Sequence, residues 1–361
     1  MFEFSANGRT ELGGNHTDHQ GGCVLGSAVE QSIRAKAKPN GTDFIRIESE
    51  GFGEIEMEIG DTEPRAEEAG TPAALVRGIM NCFIESGNIF GGFEAKITSE
   101  IPAGSGLSSS AAFEVLVGKT ISGLFFENSV PLLRIAQFGQ IAENDYFGKP
   151  CGLMDQLVCA LGGTVFADFS DPEMPRYRKI DYDFAKSGHS VAVIDCGACH
   201  AGLTEDYVSI VKEMGLVAWN MGHTVLSEAE EAEFYAQLPI LRQRCGERAV
   251  MRAVHYFDET RRAEEEAKAL ERNDFAEFLR LYRESAESSE TKLLNIISEN
   301  EPEQRLKKAI DAARAVLGGK GAARVHGGGF GGTAQAVVPN GMEEEFVCEM
   351  EKQGFGVIFV L

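Results

Sequence analysis

The sequence predicts an α+β fold, in which strands and helices are grouped along the chain instead of alternating. Short alternating or apolar runs rich in β-forming residues dominate the first hundred residues. The stretch from Thr204 to Leu317 is almost entirely helical in its periodicity, and strand-like runs return after it. A regular α/β fold would alternate strand and helix, so this grouping favours α+β with a mostly antiparallel N-terminal sheet.

The N-terminal strands are predicted from their alternation of apolar and polar residues. After a strand-like start at the N-terminus, these runs cover 23–30, 32–38, 44–48, 54–59 and 93–99. Thr71 followed by Pro72 predicts the start of a helix, because proline is tolerated in a first helical turn. Leu75, Ile79 and Phe83 then lie on one stripe of that helix.

Two further helices and a set of later strands complete the pattern. Apolar periodicity predicts helices over 111–125 and 131–147, the second ending at Gly148. Strand-like runs follow at 164–169, 190–195, 322–326, 333–338 and 356–361. A change of pattern near residue 170 predicts two domains, an N-terminal one of residues 1–170 and a C-terminal one of residues 171–361.

Charge and composition exclude several classes of partner. The 361 residues carry a net charge of −22, which argues against nucleic acids and anionic membrane surfaces as ligands. No apolar run approaches the roughly 18 residues of a membrane span, and the N-terminus lacks a signal peptide pattern. Eight scattered cysteines are typical of reduced thiols, and we interpret Cys196-Gly-Ala-Cys199-His200 as structural. These features predict a cytoplasmic protein, and we expect a monomer.

The run Pro102-Ala-Gly-Ser-Gly-Leu-Ser-Ser-Ser-Ala-Ala112 is the strongest functional signal in the chain. Gly104 and Gly106 allow backbone N–H groups to converge on one point. Ser108, Ser109 and Ser110 then open a helix, whose N-terminus favours an anion. The pattern predicts a phosphate-binding loop, and the alternative is an ordinary serine-capped helix after a glycine turn.

A second glycine-rich turn, Gly8 to Gly22, collects polar side chains of several kinds. Arg9, Asn15, His16 and Asp18 supply a cation, an amide, an imidazole and a carboxylate within it. Short polar side chains that converge from a loop suit the hydroxyl groups of a sugar. The alternatives are a polar surface loop or a metal cluster of His16, Asp18 and His19.

Carboxylates and a third glycine loop complete the set of candidate site residues. Glu143 and Asp155 follow the phosphate loop, and carboxylates there can ligate Mg²⁺ or orient and deprotonate an acceptor hydroxyl. The run Gly327-Gly-Gly-Phe-Gly-Gly332 matches G-x-G-x-x-G. Too little chain follows it for a dinucleotide-binding unit. We therefore interpret it as a third glycine loop, whose backbone can come close to a ligand or to another loop.

These motifs, in this order, resemble the GHMP kinases and within them the galactokinases. The resemblance rests on the sugar motif at 8–22, the P-x-G-x-G-L-S-S-S-A loop at 102–111, the C-G-[IL]-M-D-Q run at 151–156 and the glycine loop at 327–332. It extends over essentially the whole chain. It implies a two-lobed fold, with an N-terminal lobe like domain 2 of ribosomal protein S5 and a C-terminal α+β lobe. It also implies an ATP-dependent, Mg²⁺-requiring sugar 1-kinase.

Residue roles come from the same resemblance. It implies that Asp155 is the catalytic aspartate beside the C1 hydroxyl, that Arg9 lies near the γ-phosphate, and that Ser110 and Glu143 hold Mg²⁺. The implied ATP phosphate loop consists of Gly104, Ser105, Gly106, Leu107, Ser108, Ser109 and Ser110. The implied sugar contacts are Asn15, His16, Asp18, Gly152 and Tyr207.

Two residues, Asn15 and His19, differ from the galactokinase motif and leave the identity of the sugar undetermined. Galactokinases read G-E-H-T-D-Y where this chain has Gly14-Asn15-His16-Thr17-Asp18-His19. Because the family's glutamate faces C6 of the sugar, Asn15 predicts weaker discrimination at C6. Galactose is the expected substrate, and the alternatives are a C6-modified relative such as galacturonate, L-arabinose or L-fucose. A non-catalytic sugar and ATP sensor is the remaining alternative.

Overall fold

The chain forms two compact units in the computed structural model, which describes residues 1–50, 53–102, 104–197 and 203–361. The first unit contains Met1–Arg9 and Ala28–Gly163, and the second contains Thr10–Ser27 and Thr164–Leu361. The first two strands, β1 (Phe2–Gly13) and β2 (Cys23–Pro39), are therefore divided between the units. None of the described helices is long and apolar enough to cross a membrane.

The first unit contains a sheet covered by helices. Its elements, besides its parts of β1 and β2, are β3 (Phe44–Ser49), β4 (Gly53–Glu58), α1 (Pro72–Glu85), β5 (Phe93–Ser99), α2 (Ser109–Phe125), α3 (Leu132–Ile141), a π-helical turn (Ala142–Phe147) and α4 (Met154–Leu161). Strand β5 pairs antiparallel with residues 33–39 of β2 and parallel with β3, which pairs antiparallel with β4. Ile45 and Ile47 of β3 are buried while their neighbours are exposed, as expected for a sheet with one covered face.

Helix packing in the first unit depends on small residues. The Thr71–Pro72 start of α1 is present, but the Thr71 hydroxyl donates to the carbonyl of Glu68 instead of capping the helix. A Cβ on Gly78 of α1 would lie 2.7 Å from the Cα of Ala142. Glycine at this position therefore lets α1 approach the π-helical turn closely.

The second unit combines a β-sheet with a group of helices. Its elements, besides its parts of β1 and β2, are β6 (Thr164–Asp168), β7 (Arg176–Ile180), β8 (His189–Asp195), α5 (Thr204–Asn220), α6 (Glu231–Cys245), α7 (Glu247–Glu271), α8 (Phe275–Ser288), a π-helical turn (Ser289–Leu293), α9 (Arg305–Leu317), β9 (Ala322–His326), β10 (Thr333–Pro339), α10 (Glu343–Lys352) and β11 (Gly356–Phe359). Strand β6 pairs antiparallel with residues 23–27 of β2 and with β7.

The second unit contains two apolar cores, one beside its C-terminal sheet and one among its helices. The strands lie in the order β11-β8-β10-β9, all antiparallel, with Thr333 of β10 opposite both His326 and Asp195. Residues of this sheet, α9 and α10 share one apolar core, and residues of α5, α6 and α7 share another. The interior strand β10 is buried along nearly all its length, as a strand covered on both faces must be.

Candidate active site

The phosphate-loop candidate leads directly into α2. Gly104 and Gly106 have φ of +74°, and Ser108 has φ of +57° immediately before the helix begins at Ser109. Ser105 is buried, and its hydroxyl has no hydrogen-bond partner among the described residues. The first N–H groups of a helix have no partner within the helix. This end of α2 therefore offers donors to an anion.

Arg9 and Asp155 form a two-pronged ion pair beside this loop. Arg9 Nε donates to Asp155 Oδ1 and Arg9 Nη2 to Oδ2, both at 2.6 Å. Ser108 Oγ donates to Asp155 Oδ2 at 2.5 Å, and Arg9 Nη1 donates to the carbonyl of Gly106 at 2.8 Å. Bidentate arginine–carboxylate pairs fix the carboxylate's orientation as well as its charge. The pair is thus attached to the loop through both partners.

The Asp155 carboxyl is ionised in this setting. Burial alone would raise its pKa, but the charge and hydrogen bonds of Arg9, with the Ser108 hydroxyl, lower the pKa below its usual value. A Cβ on Gly8 would lie 2.7 Å from the carbonyl oxygen of Leu107. Glycine before Arg9 therefore allows β1 to approach the loop, where Arg9 N donates to that carbonyl at 3.1 Å.

Glu143 lies in the π-helical turn and is almost fully buried. Its Oε1 accepts from Ser110 Oγ and from Lys149 Nζ, each at 3.0 Å. Its Oε2 accepts from Gln156 Nε2 at 2.9 Å, and the same amide group donates to Glu114 Oε2 at 3.0 Å. Two carboxyl groups, a lysine and a hydroxyl thus meet at one end of α2.

Glu114, the second of these carboxyl groups, is fully buried in α2. Burial and then the Glu143 charge raise the pKa of its carboxyl well above the usual value. Glu114 was not among the predicted site residues, although a glutamate within the apolar sequence of α2 is a signal that could have identified it. Gln156, which lies next to Asp155 and bridges the two glutamates, had no predicted role either.

The oxygen atoms of Ser110 and Glu143 suit Mg²⁺, which prefers hard oxygen ligands and often binds together with phosphate groups. Within the parts of the chain that the structure describes, no cluster of three or more histidine, cysteine, aspartate or glutamate side chains suited to a metal ion occurs. A cation at Ser110 and Glu143 would therefore take further ligands from water and from a bound nucleotide. Cys199 and His200 lie outside the described residues.

The sugar-loop candidate belongs to the second unit, and its histidines form a defined chain of hydrogen bonds. His16 Nε2 lies 2.9 Å from the carbonyl of Gly328, so this nitrogen carries the hydrogen. His16 Nδ1 then accepts from His19 Nε2 at 3.3 Å, which leaves His19 Nδ1 as an acceptor without a partner among the described residues. Burial lowers the pKa of His16 to about 4 and that of His19 to about 3, so both rings are neutral.

The Asn15 side chain is buried and fully engaged with protein groups. Its Nδ2 donates to the carbonyl of Gly327 at 2.6 Å and to the Glu11 carboxylate at 3.0 Å. Its Oδ1 accepts from Asn295 Nδ2 at 3.0 Å and from Ser289 Oγ at 3.4 Å. While these bonds persist, its amide has no free group for a ligand. Glu11 and Asn295 were not among the predicted site residues. Glu11 precedes Asn15 by only four residues, whereas Asn295 is distant in sequence and only the folded chain brings it to Asn15.

Tyr207 of α5 lies against the third glycine loop. Its hydroxyl donates to the carbonyl of Gly329 at 3.3 Å, and its ring centroid lies 6.3 Å from that of His16. A Cβ on Gly328 would lie 1.6 Å from Tyr207 Cε1, so only glycine fits there. The Asp18 carboxylate accepts from the backbone N–H of His19 at 2.9 Å. Gly152, the remaining predicted sugar contact, precedes α4 in the first unit.

Comparisons with family models and curated proteins agree with one another. Residues 2–39 match the galactokinase galactose-binding signature, and residues 74–163 match the N-terminal domain of GHMP kinases. The chain is 31% identical to a galactokinase of Glaesserella parasuis over 342 residues, covering 93% of this chain and 84% of that protein. It is also 31% identical to a galactokinase of Actinobacillus pleuropneumoniae, with 94% and 85% covered.

Solved structures show the same likeness. A Lactococcus lactis galactokinase complexed with galactose superposes with a TM-score of 0.83 at 25% identity, covering 99% of this chain and 92% of that one. A mevalonate kinase from Methanococcus jannaschii shares the fold, with a TM-score of 0.66 at 17% identity and 99% and 97% covered. These likenesses confirm the α+β fold class predicted from the sequence.

Proposed function

Because this chain belongs to the galactokinase family of the GHMP kinases and is a sugar kinase that uses ATP, we propose that its reaction is transfer of the γ-phosphoryl group to the C1 hydroxyl of galactose. The ion pair of Arg9 and Asp155, beside the phosphate loop at residues 104–110, is the observation that supports this reaction. It combines a fixed, ionised carboxylate with a cation beside the N-terminus of α2, where helix N–H groups can bind an anion. The match of residues 2–39 to the galactose-binding signature supports the choice of sugar.

Phosphoryl transfer requires mainly positioning and stabilisation of charge. Asp155 orients the C1 hydroxyl as a hydrogen-bond acceptor. Because its pKa is low, it takes the proton late, when the new bond to phosphorus has already acidified that hydroxyl. Arg9 faces the charge on the transferred group, and the backbone of 104–110 binds the phosphates. Ser110 and Glu143 would hold Mg²⁺, which when bound neutralises phosphate charge.

Neutral imidazoles and a carboxylate suit recognition of sugar hydroxyls in the second unit. We assign sugar contacts to His16, Asp18, Tyr207 and Gly152. The unpartnered Nδ1 of His19 adds an acceptor. The amide of Asn15 is engaged by protein groups. We therefore assign Asn15 to positioning the sugar motif (residues 8–22) and the third glycine loop (residues 327–332), and not to direct contact with C6 of the sugar. The scattered cysteines and strong negative charge support a cytoplasmic monomer.

The proposal is tested by measuring ADP release with a panel of sugars and the Asp155→Asn variant as the matched control. We expect the highest kcat/KM with galactose, formation of galactose 1-phosphate by ³¹P NMR, and a loss of several powers of ten in kcat for the variant. Higher kcat/KM with galacturonate, L-arabinose or L-fucose would assign the enzyme to a C6-modified sugar. ADP release no greater than that of the variant, with every sugar, would favour the sensor alternative.

A further inference from the structure

Lys149 places a second positive charge at the candidate site, on the segment between the π-helical turn and α4. Its Nζ lies 3.0 Å from Glu143 Oε1, the same oxygen that accepts from Ser110 Oγ. The Glu143 side chain is 2% exposed, whereas that of Lys149 is 59% exposed. The ammonium group therefore reaches a buried carboxylate from the solvent side.

The backbone around Lys149 is fixed while its side chain is not enclosed. Gly148 ends the π-helical turn with φ of +83°, and Lys149 N donates to the carbonyl of Glu143 at 3.0 Å. Cys151 N donates to Asn144 Oδ1 at 2.7 Å on the other side. The four-carbon side chain can consequently leave Glu143 without any change in the backbone that carries it.

A cation bound by Ser110 and Glu143 would compete with this ammonium group. The Glu143 oxygen that accepts from Ser110 already accepts from Lys149, and a divalent ion at the same oxygen would repel the lysine. The γ-phosphate, which the proposed function assigns to Arg9 and the backbone of residues 104–110, offers the displaced ammonium several anionic oxygens. Lysine is a common phosphate ligand because its compact charge and rotatable donors adapt to such groups.

Building on the proposed function, we propose that Lys149 is an exchangeable cation. It neutralises Glu143 before the metal and nucleotide bind, and it moves to the γ-phosphate of ATP when the metal takes the carboxylate. It then acts beside Arg9 as a second phosphate-binding residue. Removal of its charge should have opposite effects on metal binding and on nucleotide binding, whereas a merely structural lysine would not separate the two.

The test uses Lys149→Met, which keeps the length of the side chain, and Lys149→Arg, which keeps the charge. Lys96→Met is the matched control, because Lys96 is also exposed and pairs with a carboxylate, Glu48, at 2.8 Å. Mn²⁺ binding to the nucleotide-free protein is followed by electron paramagnetic resonance. Binding of the non-hydrolysable ATP analogue AMPPNP with Mg²⁺ is followed by calorimetry, and thermal melting shows that each variant folds.

For Lys149→Met we expect Mn²⁺ binding to tighten several-fold, AMPPNP binding with Mg²⁺ to weaken about tenfold and kcat to fall at least as much. Lys149→Arg should keep most of the nucleotide affinity, and Lys96→Met should change none of these values. Unchanged or weaker Mn²⁺ binding in Lys149→Met would overturn the proposal, as would unchanged nucleotide affinity. The binding measurements need no sugar, so they decide this proposal even if the assignment of galactose fails.

Discussion

At the scale of single residues, the pairing of Asn15 with Glu11 determines what a substitution at position 15 does. Asn15→Glu would place a second buried carboxylate where the amide now donates to Glu11 at 3.0 Å. We expect it to lower the free energy of unfolding by about 2–3 kcal/mol, because like charges meet and the carbonyl of Gly327 loses its donor. Urea denaturation measures this loss.

The exchange variant Glu11→Asn/Asn15→Glu is the control for that prediction. It restores one amide and one carboxylate to the pair, so it should recover at least half of the lost stability. If Asn15 faced the sugar instead, Asn15→Glu would keep its stability and shift the ratio of kcat/KM for galactose and galacturonate. That result would contradict the positioning role.

Gly328 gives a second test at this scale, since any Cβ there overlaps Tyr207 Cε1. Gly328→Ala should displace the Tyr207 ring and raise the KM for galactose about tenfold or more, which corresponds to ~1.4 kcal/mol per tenfold. Steady-state kinetics with saturating ATP measure it. Gly215→Ala, in the same helix as Tyr207 but with no atom within 4 Å of the new Cβ, should leave KM unchanged.

At the scale of secondary-structure elements, the π-helical turn and α1 together place Glu143. Gly78→Ala would force α1 away from Ala142, and we expect the Mg²⁺ concentration for half-maximal activity to rise several-fold. Gly118→Ala overpacks Ile135 between α2 and α3 in the same unit and serves as the destabilising control. Metal titrations with equal effects in both variants would show that α1 does not position Glu143.

Periodicity predicted most elements closely, and its failures have physical causes. The predicted strands 93–99 and 322–326 are present with those bounds, and the predicted runs 23–30 and 32–38 are one continuous strand, β2. The polar start of the sugar motif, expected as a turn, continues β1 to Gly13. Residues 8–13 are buried at every position, so no alternation of apolar and polar residues marks them as a strand. The helix expected over 131–147 changes to a π-helical turn at Ala142, which no periodicity signals.

At the scale of the whole molecule, the motifs predicted which residues meet but not how they are held. The structure brings Arg9 to Asp155 and Ser110 to Glu143, as the resemblance to the galactokinases implied. The buried partners Glu114, Gln156 and Asn295 depend on contacts between segments far apart in sequence, so the local pattern gave them no role. The roles assigned to these residues and the domain boundary at residue 170 remain predictions.

Acid should destabilise the second unit, because it contains buried groups that fold in their unprotonated forms. The pKa of His19 falls from 6.5 to about 3 on burial, so the unfolded chain binds the proton more readily. The stabilisation is complete above pH 6.5 and decreases as the pH falls towards the folded value. Glu259 adds to this at lower pH: burial would raise its pKa, but Arg262, His255 and Arg324 lower it to about 2.

Urea denaturation at pH 7.5 and 5.5 measures this dependence. We expect the wild type to lose on the order of 1 kcal/mol per buried histidine over this interval. His19→Gln should lose correspondingly less, because glutamine can still donate to His16 but cannot bind the proton. An equal pH dependence in the wild type and in His19→Gln would contradict the assignment.

The assignment of residues 10–27 to the second unit has a consequence for synthesis on the ribosome. The first 163 residues contain the whole first unit, and domains generally begin to fold as they emerge. The sugar loop emerges with them, but its partners follow much later: the Thr10 hydroxyl bonds with His326, 316 positions away, and Asn15 with Gly327, 312 away. Protease sensitivity of ribosome-bound chains in which residues 1–163 have left the ribosome should therefore concentrate in 10–27. Residues 10–27 are synthesised early but would be among the last to reach their final structure.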